Sequence, residues 1–146
     1  TIAGCCDLRI GAANARFGVP ISRTLGNCLS GPNYARMVSL LGLARVKDII
    51  FTARLIDAEE AGRIGLVSEV LPDYESVLRR ADELARTVAS HAPLTLHATK
   101  EALRRIKEKM IPAEDRDLIL MCYLSRDFRE GMDAFLNKRP PKWTGT

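Results

Sequence analysis

Residues 127–143, Asp-Phe-Arg-Glu-Gly-Met-Asp-Ala-Phe-Leu-Asn-Lys-Arg-Pro-Pro-Lys-Trp, constrain this chain more than any other stretch. Asp127 followed three residues later by Glu130 has the form of a capping box. Met132, Phe135 and Leu136 then fall on one helical face. Lys138 and Arg139 occupy the last turn, where cations suit the negative end of a helix dipole. Pro140 and Pro141 forbid continuation. The spacing therefore predicts a short, well-capped amphipathic helix with a basic tip.

The rest of the chain divides by period and punctuation. Thr1–Cys6 has the small residues of a helix end, Asp7–Gly11 alternates like a strand, and Arg16–Gly18 predicts a second strand after the turn Ala12-Ala13-Asn14. Val19–Gly31, rich in Pro, Ser, Gly and Asn, predicts a loop. Ser30 is a helix cap with Pro32 in the first turn; Ala35, Val38 and Leu41 face inward and Gly42 closes the helix. Ala44–Thr52 is a further helix. Asp57-Ala-Glu-Glu60 is another capping box, opening a helix that Gly65 closes, and Leu66–Leu71 is a strand. Tyr74–Ser90 repeats Val77, Ala81, Leu84, Ala85 and Val88 at a helical period. Pro93–Lys109 continues as a helix with Ala98, Ala102, Leu103 and Ile106 inward, and Pro112 opens a helix to about Ser125. The fold class is α/β. Residues 1–71 form a front part with two or three strands, and 72–146 a helical rear, with no repeat or linker between them.

Composition narrows the function classes. At 146 residues the chain can bury a core. No apolar run reaches membrane-spanning length and no signal-like segment opens the chain, so a cytoplasmic location and no membrane partner are expected. Cys5, Cys6, Cys28 and Cys122 form no Cys-x-x-Cys pair and have no His at ligand spacing, so reduced thiols are expected and a metal is not. The net charge of +4 suits a solvated surface or a polyanionic ligand such as a nucleotide phosphate. The chain begins at Thr1 and meets its first strand almost at once, which predicts an N-terminally truncated protein.

Four blocks in order carry a family resemblance. They are Cys6-Asp7-Leu8-Arg9-Ile10-Gly11 with Ala15-Arg16-Phe17-Gly18-Val19-Pro20; Leu41-Gly42 through Thr52-Ala53-Arg54-Leu55-Ile56, with Asp57-Ala-Glu-Glu-Ala61 and Gly65-Leu66-Val67-Ser68-Glu69-Val70; Pro93 with Lys100-Glu101-Ala102-Leu103; and the closing Glu130-Gly131-x-x-Ala134-Phe135-x-x-Lys138-Arg139-x-Pro141-x-Trp143. Together they resemble the C-terminal half of the crotonase (enoyl-CoA hydratase/isomerase) superfamily. The resemblance implies the last turn of a ββα spiral, ending near residue 71, followed by a C-terminal helical trimerisation region. It implies a homotrimer or hexamer, an acyl-CoA substrate, and no cofactor beyond the coenzyme A that the substrate carries. In that family two backbone N–H groups polarise the thioester carbonyl as an oxyanion hole. Neither donor falls within these residues.

Family hydratases set two glutamates about one water molecule, one as base and one as acid. By the resemblance Thr1 and Ile21 occupy those two positions, and Leu29 a third that carries Asp in some members. Ile21 has no proton to move, and Thr1 is a poor base. Pro20, Ile21, Leu25 and Leu29 would line an apolar acyl pocket, with Ile119 where some members place an aromatic. Ser22, Thr24 and Asn27 lie in the same loop. Arg23 is either a clamp for a second substrate carboxylate, as in a malonyl-type thioester, or a surface residue. Phe135 either packs on the ligand of a neighbouring subunit or fills the core, and Lys138 either meets CoA phosphate or is solvated. Cys28 reads as a small buried hydrophobe rather than a nucleophile, and His91 and His97 as structural.

The expected function is an acyl-CoA-processing enzyme of enoyl-CoA hydratase/isomerase type whose reaction shifts toward decarboxylation or thioester hydrolysis, these residues alone being inactive. The alternative is a non-enzymatic acyl-CoA-binding or oligomer-forming subunit. A nucleic-acid partner is not expected, because the run Arg104-Arg105-Ile106-Lys107-Glu108-Lys109 carries an acid and no aromatic for stacking.

Overall fold

The computed structural model describes residues 2–109 and 115–146. In chain order its elements are α1 (Ile2–Cys5), β1 (Ile10–Ala12), β2 (Arg16–Phe17), α2 (Ile21–Thr24), α3 (Gly31–Leu41), α4 (Leu43–Thr52), β3 (Ile56–Asp57), α5 (Ala58–Arg63), β4 (Glu69–Leu71), α6 (Tyr74–Ala89), α7 (Pro93–Glu108), α8 (Arg116–Tyr123) and α9 (Arg126–Leu136). Thr1 and Pro112, both singled out in the sequence, lie outside the described residues. The chain divides into two compact units that interleave in sequence. One holds Gly18–Leu55 with α8, α9 and the residues after them. The other holds Ile2–Phe17 and the stretch from Ile56 through α7.

In the second of these units the strands are very short. β1 pairs in parallel with β4, Gly11 opposite Val70. β2 pairs antiparallel with β3, Phe17 opposite Ile56. Ser68 extends the first ladder by donating both its N–H and its hydroxyl to the Arg9 carbonyl, each at 2.8 Å. The core is built of Ile56, Ala58, Ala61 and Val67. The small alanines let α5 press its backbone against the strands, where larger side chains would hold it off. Asp57 caps α5 as the sequence predicts: its carboxylate accepts from the Glu60 N–H at 2.8 Å. Gly65, at φ +77°, then takes the left-handed turn out of the helix. Asp73 caps α6 by accepting from the Ser76 N–H at 2.7 Å.

In the other unit α4 supplies the core with Val46, Ile49 and Ile50. Gly42, at φ +76°, separates α3 from α4, as its helix-closing position in the sequence predicts. Ser30 precedes α3 with extended backbone, but its side chain makes no cap bond.

Three expectations are corrected. The stretch 19–31 is not all loop, because Pro20 opens the single-turn helix α2. On α7 the residues expected inward are not: Leu103 and Ile106 are 60% and 58% exposed. Their period marks an apolar face left uncovered among the described residues. The capping box at Asp127 and Glu130 does not form either. α9 begins earlier, capped by Ser125, whose hydroxyl accepts from the Phe128 N–H at 2.9 Å. That start releases both carboxylates for the tail. Asp127 accepts from the N–H groups of Thr144 and Gly145 at 2.7 and 2.8 Å. Glu130 takes both terminal nitrogens of Arg139, at 2.6 and 2.8 Å, and the Lys142 N–H at 2.8 Å. The chain after α9 is thus folded back along the helix by its own acids. Lys138 and Arg139 consequently lie beyond the last helical turn rather than in it.

Two predictions follow from these caps. Asp57→Ala removes a made cap bond and should lower unfolding free energy by about 1 kcal/mol, whereas Ser30→Ala removes none and should leave the urea midpoint unchanged. The second concerns pH. The Arg139 guanidinium, then the Lys142 N–H, hold the Glu130 carboxyl down at about 2 against its ordinary 4.5. Bonds from Thr144 and Gly145 also lower Asp127. A carboxyl lowered on folding contributes stability above its ordinary value and loses it as pH falls through the folded value. Emission from Trp143, the chain's one tryptophan, should therefore hold steady down to about pH 5 and change between there and about pH 2. In Glu130→Gln the change should already be present at neutral pH.

Candidate functional site

The segment 20–30 carries most of the residues that the resemblance assigns to the pocket, and its conformation is fixed from several directions. α2 is sealed on itself, the Thr24 hydroxyl donating to the Pro20 carbonyl at 2.9 Å. The Ser22 hydroxyl ties it to α4 through the Ile50 carbonyl at 2.8 Å. Beyond α2 the backbone turns through Gly26 at φ +67°, a conformation a side chain would strain. A Cβ there would also stand 3.0 Å from the Trp143 ring.

α9 lies on this turn at backbone distance. A Cβ at Gly131 would be 2.5 Å from the Leu25 carbonyl oxygen and 2.9 Å from its Cα. Only a glycine allows so close an approach, because the Leu25 atoms facing it are backbone that cannot swing away. α8 holds the far end. The Asn27 amide donates to the Tyr123 hydroxyl at 3.1 Å, and the Cys28 thiol donates to the Leu118 carbonyl at 3.6 Å. The Leu29 N–H donates to the Tyr34 hydroxyl at 3.3 Å. Asp115 accepts from the Gly31 N–H at the start of α3.

The candidate residues can now be placed. Pro20, Ile21, Leu25, Leu29 and Ile119 are all half-buried and all belong to one compact unit. Leu25 and Leu29 flank the clamped turn, and Ile119 stands on α8 beside Leu118, whose carbonyl receives Cys28. Arg23 is exposed. Phe135 is 66% exposed, so it does not fill the core of this chain. Lys138 is exposed as well. Its backbone sits at φ +50°, with its N–H on the Phe135 carbonyl and the Arg139 N–H on the Ala134 carbonyl. This is a Schellman ending whose left-handed position carries Lys where glycine is usual.

Cys28 is a poor nucleophile at neutral pH. Burial, then contact with Cys122, push its thiol up to about 11 from an ordinary 9.0. Burial likewise raises Tyr34. Both groups keep their protons, which suits a pocket of low polarity.

Sequence reasoning did not find Tyr34, Asp115, Tyr123 or Trp143, the side chains that hold the segment. Asp115, Tyr123 and Trp143 lie far along the chain from the segment, 96 positions in the case of Asn27 and Tyr123, whereas Tyr34 meets the Leu29 N–H as a local contact that no helical or strand period marks. The other unit has an open apolar cleft of about 600 Å³ among Leu8, Ile10, Leu84, Val88, His91 and Leu96. His91 stands there at an apolar wall, and none of the candidate pocket residues lines it. Among the described residues no group of three or more His, Cys, Asp or Glu could hold a metal ion, and no helix is long and apolar enough to cross a membrane.

Comparison with known proteins places this arrangement. The enoyl-CoA hydratase/isomerase family profile matches residues 1–146. A 2,3-dehydroadipyl-CoA hydratase of Escherichia coli (strain K12) is 35% identical, over 98% of this chain and 58% of that protein. A short-chain-enoyl-CoA hydratase of Clostridioides difficile is 34% identical, over 92% of this chain and 87% of that protein. Among solved structures, methylmalonyl-CoA decarboxylase in complex with 2-nitronate-propionyl-CoA superposes with a TM-score of 0.89 at 29% identity, covering 98% of this chain and 56% of that one. The chain thus spans little more than half the length of the first and last of these relatives. It belongs to the enoyl-CoA hydratase/isomerase family, and its helix-rich α/β fold is that of crotonase-type structures.

Proposed function

We propose that this chain serves an acyl-CoA-processing enzyme, with segment 20–30 and α8 forming the wall of an acyl pocket and the end of α9 meeting the coenzyme A moiety. The observation that carries this reading is the clamped, half-buried row Ile21, Leu25 and Leu29 beside Ile119. Apolar groups held rigidly on a fixed backbone suit an acyl chain better than a polar ligand. Exposed Phe135 and Lys138 follow on α9, and the strained backbone of Lys138 is the kind of feature that function retains against stability.

The chemistry would rest on an oxyanion hole of two backbone N–H groups polarising the thioester carbonyl. Hydration needs two titratable groups about one water. In segment 20–30 the titratable side chains are Arg23 and Cys28, and the thiol stays protonated. Ile21, at one glutamate position, moves no proton, and Thr1 occupies the other. The reaction we favour is therefore decarboxylation of a dicarboxylic acyl thioester. Loss of CO₂ leaves an enolate whose charge falls on the thioester oxygen, and Arg23 would hold the departing carboxylate as a bidentate partner. Thioester hydrolysis is the neighbouring possibility, since its tetrahedral oxyanion needs the same donors. The apolar faces of α7, α8 and α9 support assembly into trimers or hexamers. The absence of a titratable pair in segment 20–30 also favours a second reading, in which the protein binds acyl-CoA without turning it over.

The test uses the protein with its full natural sequence, incubated with enoyl-, malonyl- and saturated acyl-CoA thioesters and followed by mass spectrometry. Loss of CO₂ or release of free CoA without hydrated product is expected. Hydration at an enzymatic rate would contradict this reading, and binding without product would favour the second. Arg23→Gln should lower kcat/KM for the dicarboxylic thioester at least about tenfold while sparing monocarboxylic binding. Lys138→Gly should separate two effects: it relieves a left-handed Lys, raising stability by about 0.5–1 kcal/mol, and it raises KM about threefold with kcat unchanged.

A further inference from the structure

Cys28 is the thiol of the clamped segment, and a second thiol stands opposite it. The Cys28 side chain reaches the Leu118 carbonyl on α8 at 3.6 Å. Cys122 lies four residues further along the same helix, hence on the same face one turn on. Cys122 stands near enough to Cys28 to raise its pKa, and both side chains are half-buried. The Asn27 amide donates to the Tyr123 hydroxyl, each residue a neighbour of one cysteine, so the segment is tied to α8 beside the thiols.

We propose that Cys28 and Cys122 are a disulfide-forming pair, a modification site at which oxidised glutathione or a similar disulfide staples the segment 25–29 to α8. The steps balance without any other reagent. One thiolate attacks the oxidant's disulfide, forming a mixed disulfide and releasing one glutathione thiolate. The second protein thiolate attacks the sulfur of the mixed disulfide, closing the Cys28–Cys122 bond and releasing the second. Two electrons pass from the protein thiols to the oxidant, and the two protons end on the two glutathione thiols.

The surroundings set the rate. Burial and the nearby Cys122 and Asp115 keep Cys28 protonated, and the Tyr34 hydroxyl also faces it. The only cation in segment 20–30 is Arg23, which is exposed on α2. With little Cys28 thiolate at neutral pH, exchange through Cys28 should be slow, and faster as pH rises toward 11.

If the segment is the acyl-pocket wall, as the reading above has it, the staple fixes the position of Leu25 and Leu29 and alters acyl-chain preference. The bond itself does not depend on that reading, and the two are tested separately. The chain is incubated with oxidised glutathione at pH 7 and pH 9, alkylated and digested with trypsin. Cys28 then lies in the peptide 24–36, Cys122 in 117–126, and Cys5 with Cys6 in 1–9, so Cys28 and Cys122 report apart from each other and from the Cys5–Cys6 peptide. The expected product is a crosslink of 24–36 to 117–126, lighter by two hydrogens than the two peptides together and forming faster at pH 9. Cys28→Ser and Cys122→Ser should each abolish it, leaving the remaining thiol as a glutathione adduct. Glutathione adducts on both Cys28 and Cys122 of the unsubstituted chain, or two unmodified thiols where Cys5 and Cys6 have reacted, would overturn the proposal. Acyl-CoA binding is then compared before and after oxidation. A crosslink that leaves binding unchanged would keep the disulfide and remove the pocket wall.

Discussion

The backbone of α9 at Gly131 rests on the carbonyl of Leu25, and the rest of this unit is arranged around that approach. A Cβ at Gly131 would stand 2.5 Å from the carbonyl oxygen. Because backbone meets backbone, neither side can yield cheaply, and the turn after α2 takes its shape from the helix lying on it. Trp143 adds a second support at Gly26, and it reaches that place because Asp127 and Glu130 draw the tail back along α9. A helix near the end of the sequence thus determines a segment more than a hundred residues earlier. The carboxylates responsible are solvent-screened, so their strength lies in several bonds made together rather than in one ion pair.

The other unit obtains its order differently. Its ladders are only two and three residues long and could not stand alone. α5 covers them with Ala58 and Ala61, and the close contact of small residues replaces the bulk of a larger core. The apolar residues left over are on α6 and α7. Leu94 is 81% exposed and Leu103 60%, an unusual outlay for a surface helix. The same holds for Met121 on α8 and Leu136 on α9. These faces are where the chain's sequence pattern and its own packing disagree, and they agree again only if another surface covers them.

How much was legible in the sequence follows the range of the interactions. The Asp57 cap and the turns at Gly42 and Gly65 stand where the sequence puts them, because caps and positive-φ turns are decided within a few residues. The box at Asp127 failed for a local reason with a distant cause: Ser125 was an equally good cap, and the acids were wanted by residues 139–145. The small helix α2 was hidden because a single turn opened by Pro20 shows no periodicity. The period of α7 was read correctly and its burial was not, since the pattern records that a face is apolar without saying what covers it. The residues that the family resemblance assigns to a pocket were nameable from it, but Tyr34, Tyr123 and Asp115, which hold their segment, were not. No spacing rule connects a tyrosine to an asparagine 96 positions away.

The central claim is that ligand engages segment 20–30, α8 and the end of α9, and not the apolar cleft of the other unit. Hydrogen exchange with a non-hydrolysable acyl-CoA thioether tests it most directly. Protection confined to amides of Leu25–Leu29, α8 and Phe135–Lys138 is the result this account predicts. Protection at Leu84, Val88 and Leu96, with segment 20–30 exchanging as before, would contradict it.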